Sequence, residues 1–129
     1  MNSIATTSYP VLIVGAGPVG LTAACELKRH GINCRIIDQK KMPTQTSNAL
    51  GVHARSLEMW AAMGIIEQAH QHGLILESLA IYNQQAKLLV QTIFKQLLNI
   101  PYPYILSVPQ NQTELILNEH LVRFNSQVE

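Results

Sequence analysis

Two short apolar runs, Val11–Val14 and Cys34–Ile37, have the length and composition of buried strands. Residues 15–20 between them form a glycine-rich turn, and a segment of helical character continues from there to His30. Gly31 suits the position just after a helix end. This pattern predicts a strand, a turn, a helix and a second, parallel strand, which together make the βαβ unit of an α/β fold.

The periodicity changes several times after this unit. Ala54–Met63 and residues 65–72 have apolar positions at helical spacing and predict two short helices, each followed or ended by a glycine. Residues 76–82 and 87–91 flank a polar turn and predict a β-hairpin, whereas residues 92–99 fit a strand or a helix equally well. The hairpin is therefore an insertion after the βαβ unit.

The last quarter of the chain predicts one strand and one helix. The strand covers residues 104–108 and is ended by Pro109. Residues 111–114 resemble a capping box and predict a helix that carries an apolar face made of Leu117, Leu121 and Phe124. A further strand should begin at residues 127–129, because a doubly wound sheet needs a third strand beside the first. The expected fold is a Rossmann-like α/β unit with an inserted β-hairpin and an incomplete parallel sheet.

Composition narrows the possible classes of protein. The chain has 129 residues, of which 47% are hydrophobic and 13% charged, so one folded domain is expected and disorder is excluded. Its net charge of +1 and the lack of a basic stripe argue against nucleic acid or an anionic membrane as a partner. Residues 1–9 are polar and are expected to form a flexible tail.

The two cysteines indicate the compartment. Cys25 and Cys34 fall on the predicted helix and the second strand, where each is expected to be a small buried hydrophobic residue with a free thiol. The N-terminal stretch lacks the basic region and unbroken apolar segment of a signal peptide, and no apolar run has the length of a membrane span. A cytoplasmic location is therefore expected.

The glycines after the first strand carry the main functional signal. Gly15, Gly17 and Gly20 have the G-x-G-x-x-G spacing of a dinucleotide-binding turn, in which they permit a tight turn, close approach of a diphosphate and close helix–strand packing, respectively. The diphosphate would bind the amides at the helix N-terminus, where Pro18 fits because its missing N–H is not needed.

Asp38 ends the second strand, about 20 residues after the glycines. Its carboxylate would accept hydrogen bonds from a ribose 2′-hydroxyl and would repel a 2′-phosphate, so the site favours FAD or NAD over NADP. The motif alone does not distinguish FAD from NAD.

The sequence gives weaker functional signals at the other candidate residues. Arg55 lies in the first turn of a predicted helix, an unfavourable position for a cation unless an anion is near, and the alternative is a solvated surface arginine. Trp60 is expected in the core. The histidines lack the spacing of metal ligands, so no metal site and no catalytic nucleophile or base is assigned.

Three segments in this order resemble the FAD-dependent aromatic hydroxylases, the single-component flavin monooxygenases related to p-hydroxybenzoate hydroxylase, phenol hydroxylase and pentachlorophenol monooxygenase. The segments are residues 11–21 (VLIVGAGPVGL), 48–58 (NALGVHARSLE) and 108–114 (VPQNQTE). The resemblance implies that the cofactor is FAD, with Asp38 at the position of the family's ribose-binding acidic residue, which is usually Glu. It further implies that Gln110 approaches the flavin or its ribityl chain and that Arg55 lies near the pyrophosphate. Asn48 departs from the pattern, because many members have an arginine there.

The resemblance also implies an activity, which is hydroxylation of a small phenolic substrate with NAD(P)H as the co-substrate. In this family an Asp-Gly motif, a Gly-Asp motif and most of the substrate domain are encoded beyond the position of Glu129. Residues 1–129 are therefore expected to form a partial FAD/NAD(P)-binding domain that is inactive by itself. The alternatives are a stand-alone nucleotide-binding module for NAD or ADP and a truncated product without function.

Overall fold

The computed structural model describes residues 9–40, 51–94 and 99–129, and it contains the predicted βαβ unit at the expected positions. The elements in chain order are β1 (Val11–Val14), α1 (Pro18–Arg29), β2 (Cys34–Ile37), β3 (Gly51–Val52), α2 (Ala54–Met63), α3 (Ile66–His72), β4 (Leu74–Leu76), β5 (Ser78–Tyr82), β6 (Leu88–Ile93), β7 (Ile105–Ser107) and α4 (Gln110–Val122). The predicted tail, apart from Tyr9, and the loop that contains Asn48 lie outside the described residues.

The chain divides into two units, which are described separately. The first unit comprises residues 1–46 and 113–129 and contains β1, α1, β2 and most of α4. The second unit comprises residues 47–112 and contains the other helices and strands.

In the first unit, β1 and β2 pair in parallel, with Val11 opposite Cys34 and Val14 opposite Ile37. The connecting helix α1 ends as predicted, because Gly31 follows it with a left-handed φ of +74°. Buried side chains come from α1, β2 and α4, and they are Leu21, Ala24, Cys25, Cys34, Ile36, Ile116, Leu117 and Leu121. The prediction that both cysteines are buried free thiols is confirmed.

A third parallel segment begins within residues 127–129, as predicted, but it lies beside β2 and not beside β1, which corrects the expected strand order. Val128 pairs in parallel with Ile36. The main chain of Glu129 donates to the Ile36 carbonyl at 3.0 Å and accepts from the Asp38 N–H at 3.0 Å. The Arg35 guanidinium binds the Glu129 carboxylate through both oxygens, at 3.1 and 2.6 Å. The third parallel segment therefore extends the sheet on the side of β2, the strand that Asp38 directly follows.

Helix α4 begins one residue before the predicted capping box. Gln110 is its first residue, and the Gln112 N–H donates to the Pro109 carbonyl at 3.0 Å. Asn111 therefore lies inside the first turn, and its assignment as the cap was wrong. Leu117 and Leu121 are fully buried as predicted, whereas Phe124 lies in the turn after the helix ends.

In the second unit, β3, β7 and β4 form an antiparallel sheet with β7 in the centre. Helices α2 and α3 are joined through Gly64, whose φ of +77° is left-handed. Trp60 is 4% exposed, which confirms that it is a core residue. Other buried residues of this unit are Leu57, Met63, Ile65, Ile66, Ala69, Leu106 and Val108.

The predicted hairpin is present as β5 and β6, but its first strand begins at Ser78, and Leu76 belongs to β4, a separate strand that the sequence did not predict. Residues 76–82 are divided at Glu77, where the chain leaves the β7 sheet and enters the hairpin. In the turn, the Asn83 side chain accepts hydrogen bonds from the Gln85 and Lys87 amides at 3.0 and 2.9 Å. Large apolar side chains of the hairpin are exposed, namely Leu79, Ile81, Tyr82, Leu88, Leu89, Val90 and Ile93.

No helix among the described residues is both long and apolar enough to cross a lipid bilayer.

His120 is the one buried histidine among the described residues, with 6% of its surface exposed. Its ring packs edge-on against Phe124, with centroids 5.3 Å apart. Neither ring nitrogen has a hydrogen-bond partner among these residues. Burial lowers the pKa of His120 below its usual 6.5, the Arg123 charge lowers it further, and the Glu26 carboxylate opposes the shift. The neutral imidazole is therefore the form that the fold accommodates.

We expect this histidine to make stability depend on pH. The pKa of His120 is lower in the folded state than in the unfolded state. The contribution of this residue to the free energy of unfolding is therefore fully present above pH 6.5, and it declines as the pH falls from that value toward the folded pKa. Replacement of His120 by Leu should raise the free energy of unfolding by about 1 kcal/mol and flatten its decline between about pH 8 and about pH 5.5. Urea unfolding at both pH values measures this, with the exposed His72→Leu as control. An unchanged pH dependence in His120→Leu would contradict the assignment.

Candidate functional site

The glycine-rich turn connects β1 to α1. Gly15 has a φ of +104°, a conformation that glycine adopts without a Cβ penalty, and its N–H donates to the Ile37 carbonyl at 2.8 Å. Gly17 is extended and directly precedes the helix, of which Pro18 is the first residue. The turn therefore leaves the strand sharply and brings the start of α1 to the carboxyl end of β1, where open α/β sheets bind ligands.

Gly17 and Gly20 are required for different reasons. A Cβ built on Gly17 would meet no atom of the described residues within 4 Å, apart from its chain neighbours, so the space above this residue is open to a ligand. A Cβ on Gly20 would overlap the Gly15 carbonyl oxygen and press on the Ile13 side chain at 3.3 Å. Gly20 is therefore needed for the helix to pack on the strand, whereas Gly17 leaves room above the turn.

The first turn of α1 presents main-chain donors. The amides of Gly17, Val19 and Gly20 have no acceptor among the described residues, and no side chain caps the helix there. No acidic side chain lies in this turn. Because the positive end of the helix dipole coincides with these donors, the site suits an anion such as a diphosphate.

The Asp38 carboxylate is directed at the glycine-rich turn. Its Oδ2 accepts the Ala16 N–H at 2.6 Å, and its Oδ1 accepts the Lys40 N–H at 2.8 Å. The hydrogen bonds from Lys40 and Ala16 hold the pKa of Asp38 below its usual 3.8, so the group is ionised at neutral pH. Each oxygen retains acceptor capacity beyond one hydrogen bond, which leaves room for ribose hydroxyls.

Arg55 and Gln110 belong to the second unit. Arg55 is the second residue of α2, its side chain is 91% exposed, and its guanidinium pairs with the Glu58 carboxylate at 2.9 Å. This pair supplies an anion for the cation in the first helical turn. Gln110 opens α4, directly after Pro109.

The structure thus brings together five of the seven predicted site residues in the first unit: Gly15, Gly17, Pro18, Gly20 and Asp38. Sequence reasoning missed the parts played by Ala16 and Lys40, whose main-chain amides bind the Asp38 carboxylate. The Lys40 contact was foreseeable, because an aspartate at a strand end commonly accepts from the amide two residues later. The Ala16 contact joins residues 22 positions apart, and no local pattern reveals it.

These features define a dinucleotide-binding α/β domain. The open space at Gly17, the exposed first-turn amides and the carboxylate at the neighbouring strand end all fit the adenosine diphosphate half of FAD. No group of three potential metal ligands occurs within residues 9–40, 51–94 and 99–129.

The chain belongs to the FAD binding domain family, whose model matches residues 8–129. FAD is therefore the cofactor, which resolves the choice that the glycine motif left open. The chain is 33% identical over 120 residues to rifampicin monooxygenase of Streptomyces venezuelae and 39% identical over 113 residues to pentachlorophenol 4-monooxygenase of Sphingobium chlorophenolicum. The predicted resemblance to flavin-dependent aromatic hydroxylases is confirmed.

Solved structures show the same fold. Anhydrotetracycline hydroxylase from Streptomyces rimosus matches 94% of this chain with a TM-score of 0.75 and 32% identity. A p-nitrophenol 4-monooxygenase from Pseudomonas putida matches 92% with a TM-score of 0.84, and its 21% identity supports the fold alone.

The chain corresponds to a small part of these proteins. The match to rifampicin monooxygenase covers 93% of this chain but 24% of that protein. The match to pentachlorophenol 4-monooxygenase covers 86% of this chain but 20% of that protein. It likewise spans 24% of the hydroxylase chain and 31% of the nitrophenol monooxygenase chain.

The contrast between Gly17 and Gly20 gives a direct test of the turn. Gly17→Ala should lower FAD affinity roughly tenfold or more without loss of stability, because the added methyl group enters only ligand space. Gly20→Ala should lower the free energy of unfolding by roughly 1–3 kcal/mol or more, because its methyl group overlaps the main chain. Flavin fluorescence titration and urea unfolding measure the two effects. Equal FAD affinity in Gly17→Ala and wild type would contradict the site.

Proposed function

We propose that this chain binds the adenosine diphosphate half of FAD as the N-terminal portion of an NAD(P)H-dependent flavin monooxygenase that hydroxylates a phenolic substrate. The observation that carries the proposal is the joining of the glycine-rich turn to the Asp38 carboxylate, with the first-turn amides of α1 left available for a diphosphate. Family membership identifies the cofactor as FAD, and the relatives named above are monooxygenases.

In this proposal different residues of the first unit bind different parts of the nucleotide. The amides around Gly17 and Gly20 bind the diphosphate, Pro18 starts the helix in a binding geometry, and Gly15 makes the turn. Asp38 accepts hydrogen bonds from the ribose and, as an ionised carboxylate, disfavours a 2′-phosphate. FAD, when bound, supplies the redox and oxygen-transfer chemistry, whereas the protein binds and orients it.

We further propose that Arg55 and Gln110 contact FAD, with Arg55 at the pyrophosphate and Gln110 at the flavin or ribityl chain. Support for Arg55 is its position in the first turn of α2 and the exposure of its side chain, which leaves the guanidinium accessible to a ligand while it pairs with Glu58. Support for Gln110 is its position at the start of α4, preceded by the rigid Pro109.

The isolated 129-residue chain is expected to bind FAD without hydroxylating phenols. The G-x-G-x-x-G turn and Asp38 provide contacts to one half of the cofactor, and no residue of the described ranges is assigned a catalytic role. Purified chain should bind FAD and ADP in calorimetric titration but show no phenol-dependent oxygen uptake with NADPH or NADH. Phenol hydroxylation by the chain would contradict this expectation.

The same titration discriminates the alternative. A stand-alone nucleotide module would bind NAD more tightly than FAD or ADP, whereas the proposed flavoprotein portion should bind FAD at least as tightly as NAD. If neither nucleotide binds, the proposal fails and the chain is a truncated product without this function.

Arg55 has its own test. Arg55→Met keeps the length of the side chain and removes the charge, so FAD affinity should fall roughly fivefold and the fall should shrink at high salt. Stability should change little, because an exposed ion pair such as that with Glu58 contributes about 0–1 kcal/mol. Lys87→Met in the hairpin removes an equal charge and serves as control. Unchanged FAD affinity in Arg55→Met would make Arg55 a surface residue.

The chain is also proposed to be cytoplasmic. The support is that Cys25 and Cys34 are both buried with free thiols, which is usual for proteins kept in a reducing compartment.

A further inference from the structure

Two consecutive residues at the end of β2 hold two consecutive residues of the glycine-rich turn. The Ile37 carbonyl accepts the Gly15 N–H at 2.8 Å, and the Asp38 carboxylate accepts the Ala16 N–H at 2.6 Å. The first contact continues the ladder between β1 and β2, whereas the second uses a side chain beyond the last paired residue. Asp38 thus extends the connection of the two strands into the turn itself.

We propose that Asp38 is a positioning residue that holds the turn in its nucleotide-binding conformation before any nucleotide arrives. This inference rests on the proposed function, and it adds a second task to the ribose contact proposed above. In the ligand-free protein the carboxylate fixes the Ala16 amide, and through it the main chain that leads to Gly17 and α1.

The turn needs such a restraint because of its composition. Glycine loses more conformational freedom on ordering than any other residue, and this turn contains three glycines within six residues. Gly15 occupies a left-handed conformation at the start of the turn. A charge-assisted hydrogen bond to the amide of Ala16 restricts the turn between its first two glycines. Because the ordering occurs during folding, it no longer opposes nucleotide binding.

The carboxylate is itself held in place. Its second oxygen accepts the Lys40 N–H at 2.8 Å, which fixes the side chain through a local turn. The Asp38 N–H donates to the Glu129 carbonyl at 3.0 Å, which fixes the main chain. The aspartate side chain is short, and its carboxylate therefore stays close to its own strand end and to the turn.

The direct test is amide exchange of the nucleotide-free protein, resolved by residue with NMR. Asp38→Ala removes the acceptor, so exchange of the Ala16 amide should accelerate roughly tenfold or more. Asp38→Asn keeps one acceptor oxygen without charge, so the acceleration should be smaller. If Asp38→Ala does not fold, Asp38→Asn gives the same comparison. An Ala16 exchange rate equal to that of wild type in the folded variant overturns the proposal.

Asn83→Ala is the matched control, because Asn83 is also a side-chain acceptor for two main-chain amides. Its loss should accelerate exchange at Gln85 and Lys87 and leave Ala16 unchanged. This control confirms that the loss of one side-chain acceptor is detected, and that the effect at Ala16 belongs to Asp38.

A binding measurement separates positioning from contact with the ribose 2′-hydroxyl. A residue that acts only on the ribose 2′-hydroxyl would lose its effect with 2′-deoxy-ADP, whereas a residue that positions the turn affects ADP and 2′-deoxy-ADP alike. Asp38→Ala should weaken 2′-deoxy-ADP roughly fivefold or more. Equal 2′-deoxy-ADP affinity in variant and wild type overturns the proposal. Failure of wild type to bind any nucleotide would instead refute the proposed function, because the exchange measurement uses no nucleotide.

Discussion

The attachment of the glycine-rich turn to the end of β2 is the constraint on which the nucleotide site depends. A strand that is followed by glycine can continue in several directions, and the nucleotide site requires the continuation that places the start of a helix at the carboxyl edge of the sheet. Here the main-chain bond between Gly15 and Ile37 and the side-chain bond between Ala16 and Asp38 select that continuation. Because Gly20 lacks a side chain, α1 then packs directly over the turn it follows. Binding geometry and strand pairing are therefore parts of one arrangement.

The sequence predicted the βαβ unit and its glycines well, because these features depend on local chemistry. The strand bounds at Val11–Val14 and Cys34–Ile37 agree with the structure, since short, mostly apolar runs flanked by turn-forming residues are typical of strands. The stop of α1 at Gly31 and of α2 at Gly64 was likewise predicted, because the left-handed residue that ends a helix is usually glycine. Most residues of the cofactor-binding motif can be predicted in this way, because their roles depend on neighbours in the sequence.

The remaining features depend on partners that are distant in the chain. Residues 76–82 read as one strand because their alternation does not change at Glu77, but β4 pairs with β7 and β5 pairs with β6. The apparent capping box at Asn111 was misassigned because Pro109 already sets the start of α4, and Thr113 and Glu114 are buried. Val128 joined β2 and not β1, since sequence pattern does not specify which sheet edge accepts a strand. The hydrogen bond from Ala16 to Asp38 was not predicted, because its two residues are 22 positions apart in the chain.

The buried thiol of Cys25 has a practical consequence. Its Sγ donates to the Leu117 carbonyl at 3.4 Å, which places it at the contact of α1 with α4, and burial raises its pKa to about 11. Thiolate is the form that attacks alkylating reagents, so Cys25 reacts when these helices separate and is protected while they remain packed. The native chain therefore contains its own chemical reporter of helix separation, and the rate of alkylation, followed by mass spectrometry, reports how often that contact opens.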